Sequence, residues 1–410
     1  MTNSSPPKLA FIEGMRGVAA CQVILLHYCA ALLPVMARVG GAGHFAWEQA
    51  LSRSPLFALI DGSSAVYLFF IMSGFVLAGS FLRTPHALPL LAAKRLLRLF
   101  VPVALAFLIG VLLMAALPQA RAAALQYSGS DWLAALGHNP MTGAALLRDA
   151  LLHSMLIGYQ GSSIFAGAAA PIATAVNAPT WTLHAEFWGS MLVLVLAGAY
   201  RQLPRPLFWC GFAALAVLLG TSHFSLFLLG FFLYTRHPAL LAAHGPMATL
   251  GGALLCTLGL AVCVAKDSAA LAAVDVAVRA LGLPAAESDF HWQSQAGAAL
   301  MFVGVLLCAP LRRWFGSAPT QWLGRLSFSV YLLHFPILLT VGCLVFARLA
   351  PTSYALAVLA ALGAGVALTF ACAVLFERQV DRRAVAWSLV VGAGRSGGAA
   401  IADAPHSPHP

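Results

Sequence analysis

The sequence predicts an all-α polytopic membrane protein of about ten transmembrane helices, with both termini cytoplasmic. Three observations carry that expectation. Of 410 residues, 61% are hydrophobic and only 9% are charged, whereas a soluble domain is roughly 25% charged. Mean hydropathy is +0.87. The basic residues also cluster between alternate apolar runs. A soluble fold of this size has too few charges here to cover its surface, and disorder needs high charge with low hydrophobicity. The net charge of +10 would point to nucleic acid in a soluble chain. In a membrane chain it points to topology, and no nucleic-acid partner is expected.

A span needs about 20 apolar residues. The first lies near 11–36; its apolar stretch exceeds the 7–15 residues or so of a signal-peptide core and contains His27, so it reads as a retained helix. The next two lie near 57–82 and 98–117. Segment 143–158 is apolar but interrupted by Arg148, Asp149 and His153, which suggests an interfacial or re-entrant helix. Spans follow near 181–200, 206–221, 223–235 (short by itself), 247–265, 293–310, 323–347 and 353–376. Residues 9–383 form the expected membrane domain, and 384–410 a cytoplasmic, disordered tail. An N-terminus inside places 16 of the 23 Lys and Arg residues inside and 7 outside. That bias obeys the positive-inside rule. The expected location is the cytoplasmic (inner) membrane, multi-pass.

The eight cysteines fall in or beside spans without a CxxC pair, as core residues do. The histidines show no ligand spacing such as HExxH, so no metal site is expected. Charges at mid-bilayer cost about 2.5–3.5 kcal/mol each, which makes the few deep ionisable residues informative. Arg16 and His27 are eleven residues apart, which puts them on one helix face about 16 Å apart. An anionic anchor below a reactive imidazole suits a long molecule charged at one end. Arg95 and Arg98, three apart, share a helix surface at the inner end of the third span. They suit phosphate, and ordinary inside-positive topology explains them equally well. Glu186, in Trp181-Thr182-Leu183-His184-Ala185-Glu186, lies just inside the outer end of a span, where it suits either chemistry or a structural pairing with an Arg. Ser327, Tyr331 and His334 make a polar stripe on the ninth span, serving either a ligand or an interhelical hydrogen bond. Ser73-Gly74, in the run Phe69 to Phe75, permits close helix approach and reads as packing or a narrow ligand channel.

Together and in this order, five segments resemble the acyltransferase 3 family of integral membrane acyltransferases, over roughly residues 9–383. They are Arg16 with His27, the FFxxSGF run from Phe69 to Phe75, the RxxR pair Arg95 and Arg98, the W[ST]LxxE run from Trp181 to Glu186, and LGRxSxSxYLxH from Leu323 to His334. Two departures stand out. Tyr67 occupies the place of a family Asp, with Asp61 further upstream. Phe376-Glu377-Arg378-Gln379 also lacks a Pro common at the last helix. The chain resembles the stand-alone form, without a C-terminal esterase domain.

The resemblance implies no resident cofactor, an acyl-CoA donor (usually acetyl-CoA) on the cytoplasmic side, and a carbohydrate or lipid-linked glycan acceptor near the periplasmic side. The expected product is an O-acetylated envelope polysaccharide or glycolipid. His27 is expected to act as general base, with a neutral imidazole suited to that task. A route through an acyl-histidine stays open. Glu186 is expected to orient His27, and Arg16, Arg95 and Arg98 to hold the phosphates. Trp181, His334 and Tyr331 are expected to contact substrate. Trp132, Tyr127, Trp181, Phe290 and Trp292 suit either a sugar ring or an aromatic belt. The rival expectation is a glycolipid or anion transporter. Its midplane ionisable groups fit, but no second half of the sequence repeats the first.

Overall fold

The computed structural model describes residues 9–84, 87–220, 222–242, 245–280 and 292–393. Phe290 and the tail from 394 onward lie outside the described residues. Among the described residues, the chain is helical, with two isolated β-bridges.

Ten helices match the ten expected segments. They are α1 (Ala10–Leu32), α2 (Gly62–Arg83), α3 (Leu88–Ala116), α4 (Trp181–Gln202), α5 (Arg205–Leu218), α6 (Phe224–Ala242), α7 (Pro246–Val264), α8 (Trp292–Leu307), α9 (Ala318–Ile337) and α10 (Tyr354–Phe376). Eight are long and apolar enough to span a bilayer. The other two differ for physical reasons. Helix α8 is bent by 98° against Ala309–Phe315, because Pro310 has no N–H for the carbonyl of Leu306, which accepts from Arg312 Nη1 instead. Helix α5 has only 14 residues, about 21 Å of rise against a core of about 30 Å. Segment 143–158 forms the short helix Gly143–Arg148, then a π turn at Asp149–His153. The last span also runs on past 383, through a π segment at Glu377–Asp381 into Arg382–Ala393. The expected tail therefore begins as helix.

Two apolar cores flank the site. One joins α2, α4, α6 and α8 through Phe70, Phe75, Phe227, Phe231 and Phe302. The other joins α1, α9 and α10 through Ile24, Tyr28, Leu326, Val330 and Phe335. Helices α1 and α9 run parallel in close contact. A Cβ on Gly17 would meet Leu323 at 2.6 Å, and one on Gly324 would run into the Glu13 backbone. Only glycine permits that approach. The contact fixes the register of α9 on α1, and so sets His27 beside His334.

Proline shapes the far end of α9. Pro336 lacks an N–H, which frees the carbonyl of Leu332. Asn177 takes it, donating from Nδ2 at 2.9 Å. The segment before α4 is thereby fastened next to His334. Asp149 fastens it a second time, accepting from the Val176 N–H at 2.9 Å and from the Tyr159 hydroxyl. Burial raises the Asp149 carboxyl above its ordinary range, partly offset by these two bonds. Burial, followed by the charge of Asp149, pushes the Tyr159 phenol well up.

Candidate active site

A cavity of about 940 Å³ opens among α1, α2, α3, α4 and α9. Four guanidinium groups line it, from Arg16, Arg95, Arg98 and Arg325, and so do four carboxylates, from Glu13, Glu186, Glu377 and Asp381. The charges facing Arg16 are Arg98, Glu186, Asp381 and Glu13. Arg98 and Arg325 are exposed in the cavity and Arg16 is half-buried. Arg95 is ion-paired with Glu186, and Ser73 donates to the same carboxylate oxygen at 2.7 Å. This is why α2 carries a serine beside Gly74. The glycine seats α2 against the backbone of Phe227, and the serine faces the cavity.

Phe69 and Thr182 also line the cavity, and on α9 the lining ends at Tyr331. The Tyr331 hydroxyl shares a 2.7 Å hydrogen bond with Thr182 and donates to the carbonyl of Pro179 at 2.9 Å. Beyond it stands His334, 5.7 Å away between ring centroids and fully buried. His27 follows, its Nδ1 at 2.8 Å from His334 Nε2. Neither histidine lines the cavity.

The proton arrangement follows from these contacts. His334 Nδ1 faces the carbonyls of Tyr331 (2.7 Å) and Val330 (3.2 Å), and a carbonyl only accepts, so Nδ1 carries the proton. In the neutral ring Nε2 is then bare and accepts from His27 Nδ1–H. His27 Nε2 is left with its lone pair free. The two backbone carbonyls thus fix both tautomers. The half-buried His27 presents the unprotonated nitrogen that a general base requires.

The expected residues divide accordingly. His27 and His334 meet. Glu186 does not face His27: it is held by Arg95 and Ser73, and the group that orients His27 is His334. His334 is expected on the substrate, but it is fully buried and lies between Tyr331 and His27. Tyr331 lines the cavity. Trp181 packs edge-on to Phe70 and beside His223, outside the cavity lining. His184 is a packing residue; Nε2 accepts from the Ile164 N–H at 3.2 Å, and Nδ1 faces the carbonyls of Met155 and Leu156. Asp61 caps α2 through Ser64, and Tyr67, in the place of a family Asp, packs against His223. No cluster of three or more metal-ligating side chains occurs among the described residues.

Sequence reasoning missed Glu377 and Asp381. Glu377, 4% exposed, accepts from Arg382 Nε at 2.7 Å. Both are carboxylates at the end of an apolar run, which is the signal that had singled out Glu186. Trp132 stands in the sequence only as one of five aromatics that suit a sugar ring or an aromatic belt equally. Its indole lies 5.5 Å from the His27 ring, at 17° between planes.

The sequence model of the acyltransferase 3 family, described as an acyltransferase domain, matches residues 9–378. No match was found among curated proteins or among solved structures.

Proposed function

The chain belongs to the acyltransferase 3 family of multi-pass membrane acyltransferases, and from that premise we propose that it moves an acyl group, most simply acetyl, from acyl-CoA to a hydroxyl of a carbohydrate or glycolipid. We place it in the inner membrane, with the arginine-lined cavity open to the cytoplasm and the acceptor on the periplasmic side. The observation that carries this reading is the alignment of the arginine-lined cavity with the His27–His334 pair beyond its end. A donor with phosphates at one end and a thioester at the tip of an apolar arm matches that gradient. Arg16, Arg98 and Arg325 take the phosphates. Arg95, already committed to Glu186, ties α3 to α4 and shapes the wall.

His27 Nε2 accepts the proton of the acceptor hydroxyl as its oxygen bonds to the thioester carbonyl carbon. The tetrahedral oxyanion then collapses and the C–S bond breaks. The departing thiolate takes the proton back from the imidazolium, giving an ester and free CoA thiol. His334 accepts from Nδ1–H throughout, and that bond strengthens as His27 becomes charged. This is the part a carboxylate plays in a hydrolase triad. His334 needs no charge of its own, which suits its full burial.

The test is release of CoA thiol from acetyl-CoA by purified full-length protein in detergent, with labelled acetyl transfer onto envelope polysaccharide identifying the acceptor. His27→Ala should abolish thiol release while the protein keeps its thermal unfolding midpoint. An active His27→Ala variant would overturn the base assignment. A wild type that releases no thiol would favour a transporter.

A further inference from the structure

We propose that Trp132 is a positioning residue for His27, holding the imidazolium that forms when the base takes its proton. The proposal rests on the reading of His27 as base.

The two planes are 17° from parallel with centroids 5.5 Å apart, inside the range of an offset stack. A cation within about 6 Å of an indole face is attracted by the ring quadrupole, and among aromatic rings indole attracts it most. The neutral imidazole gains little from this. The attraction therefore appears mainly in the charged state, and an interaction that grows toward the transition state raises kcat rather than lowering KM.

The rest of the neighbourhood holds the two rings together. Phe335 stands edge-on to both, at 80° to His27 and 85° to Trp132. His334 fixes the Nδ1 edge. Rotation of the imidazole is thus blocked from three directions, and Nε2 is the nitrogen left for the acceptor.

The backbone that carries Trp132 is fastened more firmly than a sugar platform alone requires. Trp132 sits in the four-residue helix Asp131–Ala134. Its cap, Ser130, is fully buried. The Ser130 hydroxyl donates to the carbonyl of Ala30 at 2.6 Å and accepts from the Leu133 N–H at 3.1 Å. Ala30 lies three residues beyond His27 on α1. The carbonyl of Leu133 accepts from Arg121 Nη1 at 3.1 Å, and the Asp131 N–H donates to Gly40 at 2.9 Å. The loop that delivers the indole is therefore bonded to the helix that delivers the imidazole.

Fluorinated tryptophans placed at position 132 of the full-length protein provide the test, because fluorine drains the ring face of negative potential with little change in size. Acetyl-CoA is the donor and envelope polysaccharide the acceptor, with CoA thiol as the readout. The rate at saturating donor should fall stepwise with each added fluorine, at unchanged donor KM and unchanged thermal unfolding midpoint. Trp132→Leu should lose about tenfold, with Trp132→Phe in between. A flat fluorine series, or a fully active Trp132→Leu beside an inactive His27→Ala, overturns the role of Trp132 alone. An active His27→Ala, or a wild type that releases no thiol, overturns the base assignment and this proposal with it.

Discussion

Replacing His334 should slow acyl transfer without weakening donor binding. His334 is fully buried, lies outside the cavity lining, and touches His27 at 2.8 Å. A neutral hydrogen bond contributes about 0.5–1.5 kcal/mol, and one to a charged group about 1.5–3 kcal/mol. As His27 takes the proton the bond moves from the first class to the second, a gain of about 1–1.5 kcal/mol, or roughly 5- to 13-fold in rate. Loss of ring orientation adds to this, up to the 10²–10⁴-fold or so that general-base catalysis supplies. His334→Ala should therefore lower kcat by at least about fivefold. His334→Gln offers an amide oxygen near the position of Nε2 and should fall between it and wild type. The two histidines act as one unit, so the double variant His27→Ala/His334→Ala should be no slower than His27→Ala alone. The assay is thiol release across a range of acetyl-CoA concentrations, with thermal unfolding run in parallel. A His334→Ala enzyme within about twofold of wild type, or a double variant slowed by the product of the single effects, would refute the reasoning.

Arg98→Ala should raise the donor KM with little change in stability, because Arg98 is exposed in the cavity; an unchanged KM for acetyl-CoA would remove it from the phosphate site. Arg95→Ala should instead lower the unfolding midpoint by leaving Glu186 without its counter-ion, and Glu186→Gln in the same chain should recover part of that loss, as differential scanning fluorimetry would register. Gly17→Ala should cost about 1–3 kcal/mol by forcing α1 away from α9, and the activity lost should exceed that of an equally destabilising change in α7. Asp149→Ala should cost about 1–3 kcal/mol through the Val176 N–H left unpaired. The raised Asp149 carboxyl keeps its proton in the folded state to higher pH than in the unfolded chain. Stability should therefore fall as pH rises from the ordinary carboxylate range through the folded-state value. Asp149→Asn should flatten that slope in unfolding measured across a pH series.

The spans were legible because twenty apolar residues in a row have few fates. Their number blurred at two places, α5 and the bend at Cys308, where length and a following Pro310 matter more than hydropathy. The deep ionisable residues were equally legible, since each is costly where it sits. What a linear sequence withholds is pairing across helices. Glu186 and His334 lie on different helices from His27, and nothing in their spacing says which of them meets it. The Gly17–Gly324 contact sets the register that delivers His334, and Arg95 claims Glu186. Trp132 was hidden for another reason. It rides on a loop, and the hydrogen bond from Ser130 to Ala30 that brings it to α1 leaves no trace in spacing or hydropathy.

The end of the cavity at Tyr331 has a consequence for the bilayer itself. Tyr331, His334, His27 and Trp132 follow one another ring by ring, and the lining stops at the first of them. A water column running the full depth of the bundle would short-circuit the transmembrane ion gradient at every turnover. The aromatic partition that holds His27 should also insulate. A conductance measurement on reconstituted protein, with Tyr331→Ala as the breached form, would read that insulation directly.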